Sequence, residues 1–179
     1  MKCFERKILL WPLFSTGLIL AGCNASNGIA ATDATKPEVV VAEPRTEIVM
    51  YKSEGCECCG KWAEHMHTAG FVVIENKLGD VDAIKSQHGI PGNLSSCHTA
   101  IVDGYVIEGH VPAADVVRLL KERPKVVGLT APGMPMESPG MQEPGQMPKS
   151  YDVFVFDADG KSRVFTRYYA DGKFREFEH

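Results

Sequence analysis

Three cysteines fall within four residues, Cys56-Glu57-Cys58-Cys59, directly after a segment with the pattern of a β-strand. Residues 59–69 then show helical spacing of their apolar side chains, and Gly70 ends the predicted helix. A strand that leads through a cysteine-rich loop into a helix restricts the fold, because the thiols must then lie at a helix N-terminus. The helix dipole and the free amides stabilise thiolate there, and thiolate is the form that binds metals and acts as a nucleophile.

The order of the predicted elements indicates an α/β fold. Strands are expected at residues 47–52, 71–76, 99–102 and 105–108, and helices at residues 59–69, 80–88 and 112–123. Asp103-Gly104 separates the last two of these strands and is a strong signal for a two-residue hairpin turn. The resulting order, βαβαββα, is that of the thioredoxin-like fold. By analogy with that fold, the loop that holds Cys97 is expected to face the cysteine motif.

The first 22 residues are typical of an export signal. A basic start is followed by a largely apolar run from Ile8 to Leu20, which is short for a transmembrane helix. The run ends in Leu20-Ala21-Gly22-Cys23, which resembles a bacterial lipoprotein cleavage box more than an ordinary secretory signal. We expect residues 1–22 to be a lipoprotein signal peptide and residues 23–45 to be the lipidated Cys23 and a flexible tether. The protein is then expected in the periplasm, held at an envelope membrane by lipid alone.

Changes in composition divide the rest of the chain into three segments. Residues 46–130 form the predicted thioredoxin-like, metal-binding domain. Residues 131–149 are a loop rich in Met, Pro and Gly, a composition that does not suit regular structure. Residues 150–179 contain alternating segments separated by Asp159-Gly160 and Asp171-Gly172. They are expected to form a C-terminal antiparallel β unit that extends or caps the sheet.

The composition excludes some classes of protein. The 179 residues include 19 Lys+Arg and 23 Asp+Glu, which gives a formal net charge of −4. This mild acidity argues against a nucleic-acid-binding protein, which needs a basic face. The unusual feature of the composition is the presence of six cysteines and six histidines. Cys3 falls in the expected signal and Cys23 would carry lipid. Four cysteines therefore remain for chemistry, namely Cys56, Cys58, Cys59 and Cys97. They would lie in a compartment that permits disulfides.

The four remaining thiols fit two kinds of chemistry. Cys56 and Cys59 have the C-x-x-C spacing of thiol–disulfide oxidoreductases, but Cys58 inside that pair would compete as a resolving thiol. Metal binding makes better use of the extra sulfur, because neighbouring thiolates can bridge neighbouring ions. Four thiolates would neutralise four Cu(I) ions, so a polynuclear copper–thiolate cluster is chemically balanced. The number of ions, from one to four, stays open.

Soft ligands elsewhere in the sequence favour copper. Thiolate sulfur suits Cu(I), while zinc in a closed cysteine-rich site is the alternative metal. The 131–149 loop contains Met134, Met136, Met141 and Met147. Thioether sulfur is a Cu(I) ligand that survives an oxidising compartment, and zinc rarely uses it. The methionine cluster therefore favours Cu(I), although the same side chains could instead serve as adaptable apolar cover.

Two histidines complete the candidate ligands. His98 adjoins Cys97 and is the best imidazole candidate, and His110 closes a predicted strand that could reach the same end of the sheet. The predicted metal ligands are Cys56, Cys58, Cys59, Cys97, His98, His110, Met134 and Met136.

Three stretches of the sequence resemble the CopG-type copper-resistance proteins. They are YKSEGCECCGKW, SSCHTAIVDGYVIEGHVPAADVVRLL and GLTAPGMPMESPGM. The resemblance covers about residues 46–157, and Glu57 stands where Gly is common in the family. It implies a thioredoxin-like fold, an envelope location and copper binding through the four cysteines. It also implies a role in copper resistance, with redox conversion between Cu(I) and Cu(II) as one form of that role.

The sequence thus predicts a periplasmic copper-binding protein that holds Cu(I). Two other functions stay open, namely a thiol–disulfide oxidoreductase of the envelope and a copper chaperone that passes Cu(I) to an efflux system. Whether the protein is an enzyme is also left open. The expected partners are copper ions and copper efflux or chaperone proteins, with the membrane reached through the lipid anchor and no nucleic acid.

Overall fold

The computed structural model describes residues 45–171, apart from residues 146 and 148, together with the backbone of residues 174–176. The expected signal peptide, Cys23 and the tether up to residue 44 lie outside these residues. Within the part that the structure describes, no helix has both the length and the apolar character needed to cross a membrane.

The described chain contains three α-helices and eight strands. The strands are β1 (Glu47–Ser53), β2 (Val72–Leu78), β3 (His98–Val102), β4 (Tyr105–Gly109), β5 (Gly128–Ala131), β6 (Tyr151–Phe156), β7 (Ser162–Tyr168) and β8 (Phe174–Glu176). The helices are α1 (Glu57–Thr68), α2 (Asp82–Gln87) and α3 (Ala113–Glu122), and a 3-10 turn covers Gly92–Leu94. The predicted order βαβαββα is present from β1 to α3.

All the described strands join one sheet in the order β2-β1-β3-β4-β5-β6-β7-β8. Strand β1 pairs parallel with β2 and antiparallel with β3, which pairs antiparallel with β4. The protein is therefore an α/β protein, and these directions are compatible with the predicted thioredoxin-like arrangement. Strands β6 to β8 continue the sheet by antiparallel pairing. Of the two roles expected for the C-terminal unit, it takes the extension of the sheet.

Strand β5 was not expected from the sequence. It pairs parallel with β4 and antiparallel with β6, so it joins the C-terminal unit to the first half of the sheet. The strand is short and begins with Gly128, which is a poor strand former. The structure requires glycine at that position, because a Cβ atom there would overlap the backbone of Val106. Ala131 consequently belongs to the sheet and not to the loop that follows.

Helix α1 packs an apolar face on the sheet. Cys59, Trp62, Ala63 and Met66 are buried at the i, i+3, i+4, i+7 spacing of one helix face. The helix begins at Glu57, two residues before the predicted start, so Cys58 and Cys59 lie in its first turn. The indole Nε1 of Trp62 donates a hydrogen bond of 2.8 Å to the carbonyl oxygen of residue 111, which fixes the helix against the end of β4.

The core divides between the two faces of the sheet. Ala100 and Ile107 belong to the larger cluster, which also contains side chains of α1 and α3. Their neighbours along the same strands, Ile101 and Val106, belong to a smaller cluster with Leu94. Successive side chains of a strand point to opposite faces, so the two clusters lie on opposite sides of the sheet. Burial of each large apolar side chain stabilises the fold by about 1.5–3 kcal/mol. This packing holds the ends of β3 and β4 in place.

Candidate metal centre

The cysteine motif lies at the N-terminus of α1, as the sequence indicates. Cys56 occupies the N-cap position in an extended conformation, and its backbone N–H donates to the carbonyl oxygen of Ser53 at 3.2 Å. Cys56 and Cys59 form a disulfide in this structure, and Cys58 is a free thiol. The Sγ atoms of Cys56 and Cys58 are 3.6 Å apart. All three sulfurs of the motif therefore lie at the same end of the helix.

Cys97 joins these sulfurs from the loop before β3. Its Sγ lies 3.6 Å from the Sγ of Cys59, although 38 residues separate the two in sequence. The ligand atoms of Cys56, Cys58, Cys59 and Cys97 all lie within 4.8 Å of one another. The proximity that the fold order predicts is therefore present. Metal–sulfur bonds are about 2.3 Å long for zinc, so the four sulfurs are close enough to share ions once the disulfide is reduced.

Two buried histidines border the sulfur cluster. His98 begins β3 and His110 follows the last residue of β4, and both side chains are fully buried. The Sγ of Cys97 is 3.3 Å from Nδ1 of His98 and 2.9 Å from Nε2 of His110. Cys59, Cys97, His98 and His110 form a second set of ligand atoms within 4.8 Å of one another. Both histidines predicted as ligands thus lie beside the cysteines.

Burial controls the protonation of these groups. It lowers the pKa of His110 and lowers the pKa of His98 far below its ordinary value, so both rings are neutral at pH 7. Burial, together with the nearby charge of Cys58, raises the pKa of Cys97 to about 12. A free Cys97 is therefore a thiol at neutral pH, and a metal ion that binds it must displace its proton.

Each histidine has a ring nitrogen that is available to a metal. Nδ1 of His110 lies 2.7 Å from the carbonyl oxygen of Pro139. A carbonyl can only accept a hydrogen bond, so Nδ1 carries the proton and Nε2 presents its lone pair to Cys97. Among the described residues, Nε2 of His98 is a buried polar atom without a hydrogen-bond partner. A buried unsatisfied nitrogen on a ring that borders Cys59 and Cys97 fits a site built for an ion.

A buried ion pair, which the sequence did not indicate, supports the Cys97 loop. The carboxylate of Glu108 accepts hydrogen bonds from the backbone N–H of Ser96 at 2.6 Å, from Oγ1 of Thr99 at 2.7 Å and from Nζ of Lys85 at 2.5 Å. Burial raises the pKa of Glu108 and these donors oppose the rise. Because Ser96 directly precedes Cys97, this carboxylate positions the loop that carries the fourth cysteine.

The Met-, Pro- and Gly-rich loop lies against the centre. Besides the bond from His110 to Pro139, the loop places Gly140 on the backbone of α1. A Cβ atom at Gly140 would be 2.8 Å from the carbonyl oxygen of Cys58 and 2.8 Å from the backbone nitrogen of Trp62. Ser138 is fully buried. The segment 138–140 therefore covers the first turn of α1, next to the cysteines.

The methionines of the loop occupy a different place. Met134 and Met136 are exposed by 43% and 39% and line an open depression together with Met147 and Tyr151. The ligand sets described above consist of cysteine and histidine side chains. That Met134 and Met136 bind a metal stays a prediction.

The fold and the site define an α/β protein with a cysteine–histidine centre that could hold a metal ion. A family model described as "Protein of unknown function, DUF411" matches residues 94–141. Two solved structures, titled "Copper resistance protein copG- Form 1" and "Copper resistance protein copG- Form 2", each match with a TM-score of 0.66 and 38% sequence identity. The match covers 71% and 70% of this chain, respectively, and 99% of each of those chains. No curated protein matches significantly.

At this identity and coverage, the chain belongs to the CopG family of copper resistance proteins. The family membership and the cysteine–histidine cluster together support a copper-related function.

Proposed function

We propose that the protein binds copper as Cu(I) at the cysteine–histidine centre and acts in copper resistance. The observation that carries the proposal is the convergence of four cysteine sulfurs within 4.8 Å of one another at the N-terminus of α1. Soft thiolates prefer Cu(I) to hard cations. The positive end of the helix dipole favours negative charge on the sulfurs at this helix N-terminus when they bind the metal.

More than one copper ion suits this arrangement. Cys58 and Cys59 are adjacent in the first turn of α1, so their sulfurs leave the helix in different directions and favour bridging between ions over joint ligation of one. Cys97 lies near Cys59, whereas Cys58 lies near Cys56. Four thiolates and four Cu(I) ions would form a neutral cluster, which is the least costly charge state for a half-buried site. His98 and His110 would add neutral nitrogen ligands at one side.

The disulfide connects copper binding to redox chemistry. Reduction of the Cys56–Cys59 disulfide takes up two electrons and two protons and releases two thiols. Two Cu(I) ions can supply the electrons, one each, and become Cu(II). In the reverse reaction, the two thiols give two electrons to two Cu(II) ions, which become Cu(I), and the two protons are released. Interconversion of Cu(I) and Cu(II) is therefore part of the proposal.

A thiol–disulfide oxidoreductase is the second candidate, because the structure holds a C-x-x-C disulfide beside a free thiol. In the reduced protein, the thiolate of Cys56 could attack a substrate disulfide, which would form a mixed disulfide and release one substrate thiolate. Cys59 would then attack the Cys56 sulfur, so that the Cys56–Cys59 bond forms and the second substrate thiolate leaves. An external dithiol, itself oxidised to a disulfide, would reduce the Cys56–Cys59 bond and return the enzyme to its starting state.

The location and the partners are also proposals. We propose that the chain is anchored through Cys23 in the periplasm, where it meets incoming copper. A copper efflux system or chaperone would take Cu(I) from the centre. Transfer to such a partner would have to be faster than release of copper to solvent.

Anaerobic metal loading of the reduced protein tests the main proposal. The reduced protein is titrated with Cu(I) and, separately, with Zn(II), and bound metal per chain is compared with the number of thiols that resist alkylation. We expect more than one Cu(I) per chain, protection of all four thiols and displacement of zinc by copper. One tightly held zinc that copper does not displace would contradict the proposal. A reversible disulfide with no retained metal would favour the oxidoreductase.

A further inference from the structure

The methionines of the 132–150 loop gather around one depression. An open depression of about 530 Å³ is lined by Met134, Met136 and Met147, together with Glu137, Lys149 and Tyr151. Among the described residues, five large apolar side chains are exposed, and three of them are these methionines. Scattered exposed apolar residues need no explanation. Three side chains of the same soft-ligand type around a single depression do require an explanation.

The loop is folded so that these methionines line the same depression. The Oε1 atom of Glu137 accepts a hydrogen bond of 2.9 Å from the backbone N–H of Lys149. This bond closes a twelve-residue span and brings the end of the loop, with Met147, to its beginning. A turn in which Ser138 donates from its backbone to the carbonyl oxygen of Pro135 at 3.0 Å fixes the segment after Met136. The depression is therefore built by specific contacts.

Met134 also has an unusual backbone. Its φ angle is +60°, in the left-handed region that side-chain-bearing residues avoid at a cost of about 1 kcal/mol or more. Gly133 before it also has a positive φ, of +72°. The loop thus keeps a methionine, and not a second glycine, at a strained and exposed position. The chemical difference between the two residues is a side chain that ends in a thioether.

We infer that Met134, Met136 and Met147 form a second binding site, for a soft monovalent cation of the Cu(I) type, separate from the cysteine centre. Three thioethers supply neutral soft ligands, which suit a singly charged ion and not zinc or magnesium. The lining also contains one carboxylate, Glu137, and one ammonium, Lys149, so its charges balance, and the ring of Tyr151 supplies a π face for the ion. Thioethers do not form disulfides, so this site stays competent when the cysteines are oxidised.

The place of the loop gives the second site a connection to the first. Pro139 follows Met136 by three residues, and its carbonyl oxygen holds His110, whose other ring nitrogen lies 2.9 Å from the Sγ of Cys97. An ion at the methionines is therefore held on the same segment that orients a candidate ligand of the cysteine centre. The second site binds its ion whether or not the cysteines bind copper.

The test uses Ag(I), a redox-inert soft cation, and protein with ¹³C-labelled methionine methyl groups. In the Cys58→Ser/Cys97→Ser variant with the Cys56–Cys59 disulfide intact, no thiol of the cysteine centre is free. We expect the methyl resonances of Met134, Met136 and Met147 to shift together and to saturate at one Ag(I) per chain. The resonances of Met141, in the same loop, and of the buried Met66 should not move. Zn(II) should move none of them.

Variants at the same positions complete the test. Replacing Met134, Met136 and Met147 together by leucine should abolish the bound Ag(I), whereas Met141→Leu is the matched control and should retain it. Leucine keeps the apolar volume and removes only the sulfur. Absence of methyl shifts, or equal shifts at Met141, would overturn the inference. Because the methionine methyl groups report the binding and no thiol of the cysteine centre is free in this variant, the outcome is independent of the result at the cysteine centre.

Discussion

The Sγ atom of Cys97 lies 2.9 Å from Nε2 of His110, and the opposite nitrogen of that ring is hydrogen-bonded to the backbone of Pro139. The loop carbonyl thereby selects the tautomer in which Nε2 is an unprotonated ligand. This is the arrangement in which outer contacts orient a metal-binding histidine. One backbone oxygen of a loop without regular structure thus sets the chemistry of a ring at the centre.

His110 is expected to contribute to copper affinity. His110→Asn removes the imidazole and should weaken Cu(I) binding by at least about tenfold, equivalent to about 1.4 kcal/mol. Competition with a chromophoric Cu(I) chelator under anaerobic conditions measures the change. His88→Asn, at the C-cap of α2, is the control and should leave the affinity unchanged. An equal loss in both variants would argue against ligation by His110.

Substitution of Cys58 should distinguish the two candidate functions. Cys58→Ser removes the sulfur that lies 3.6 Å from Cys56 but keeps the C-x-x-C pair. A bridged copper cluster should then bind fewer Cu(I) ions per chain, because one bridging thiolate is lost. A thiol–disulfide enzyme should keep its protein-reducing activity. Metal analysis and an insulin-reduction assay on the same preparation distinguish the outcomes, and unchanged copper stoichiometry would contradict the cluster.

Glu108 should be important for stability. Glu108→Gln leaves the charge of Lys85 buried without its anion, which typically costs about 3–5 kcal/mol. Urea unfolding of the reduced apo protein measures the change. Asp103→Asn breaks the exposed ion pair with Arg123 and is the control, since such pairs contribute about 1 kcal/mol or less. Similar losses in the two variants would show that the buried pair has no special role.

Loss of Glu108 should also affect the centre. Its carboxylate holds the backbone N–H of Ser96, so Glu108→Gln should weaken Cu(I) binding by roughly 10- to 100-fold, as is typical for residues that orient metal ligands. The thiolate-to-copper charge-transfer absorption should change as well. An unaltered spectrum and affinity in the folded variant would leave Glu108 with a structural role alone.

Stability of the apo protein should fall as the pH decreases below about 6.5. His98 is neutral when buried because burial lowers its pKa, whereas the unfolded chain takes up a proton near pH 6.5. The unfolded state therefore binds more protons between 6.5 and the lowered pKa, and stability falls by up to about 1.4 kcal/mol per pH unit for this group. The contribution is fully present above pH 6.5.

The pH experiment compares urea unfolding of the reduced wild type and His98→Gln from pH 7.5 to pH 5. The variant should have the smaller slope. Glu108 changes the pH dependence of stability in the opposite direction, because its pKa is raised in the folded state. His110 acts with the same sign as His98. The difference between the two proteins isolates His98, and identical slopes would refute its buried neutral state.

Gly140 should be required for the loop to cover the centre. Gly140→Ala places a Cβ atom 2.8 Å from backbone atoms of α1, so the segment 138–140 must move away and release His110. We expect faster amide exchange in this segment and weaker copper binding. Gly145 is the matched control, because its φ of +83° is similarly unusual but a Cβ atom there meets nothing within 4 Å. Equal effects of the two substitutions would indicate backbone strain alone.

Local signals predicted much of the fold. Alternating apolar residues, the Asp103-Gly104 turn and the helix that ends near Gly70 correspond to elements within two residues of the expected bounds. Strand β5 was missed because a four-residue strand that begins with Gly128 has no period of its own. Its pairing with β4 and β6 stabilises it, and pairing partners distant in sequence leave no local pattern.

The candidate site, like the fold, was predicted only in part from the sequence. The sequence indicated the cysteine motif at a helix N-terminus, and the fold order indicated that Cys97 comes close to it. The support from Glu108 and Lys85 was not visible, because a glutamate and a lysine are ordinarily surface residues and their burial depends on the partner across the fold. The methionines were grouped with the cysteines, but the structure places Met134 and Met136 around a separate depression.

The sequence by itself determined the elements other than β5, their order and the ligand types, because these depend on contacts between near neighbours along the chain. Only the tertiary structure decided that His110 meets Cys97, that Pro139 sets the tautomer of His110 and that Glu108 is buried beneath the Cys97 loop. Each of these depends on residues that packing of the sheet, α1 and the 132–150 loop brings together. Their protonation follows from burial, which is a property of the folded molecule and not of any segment of it.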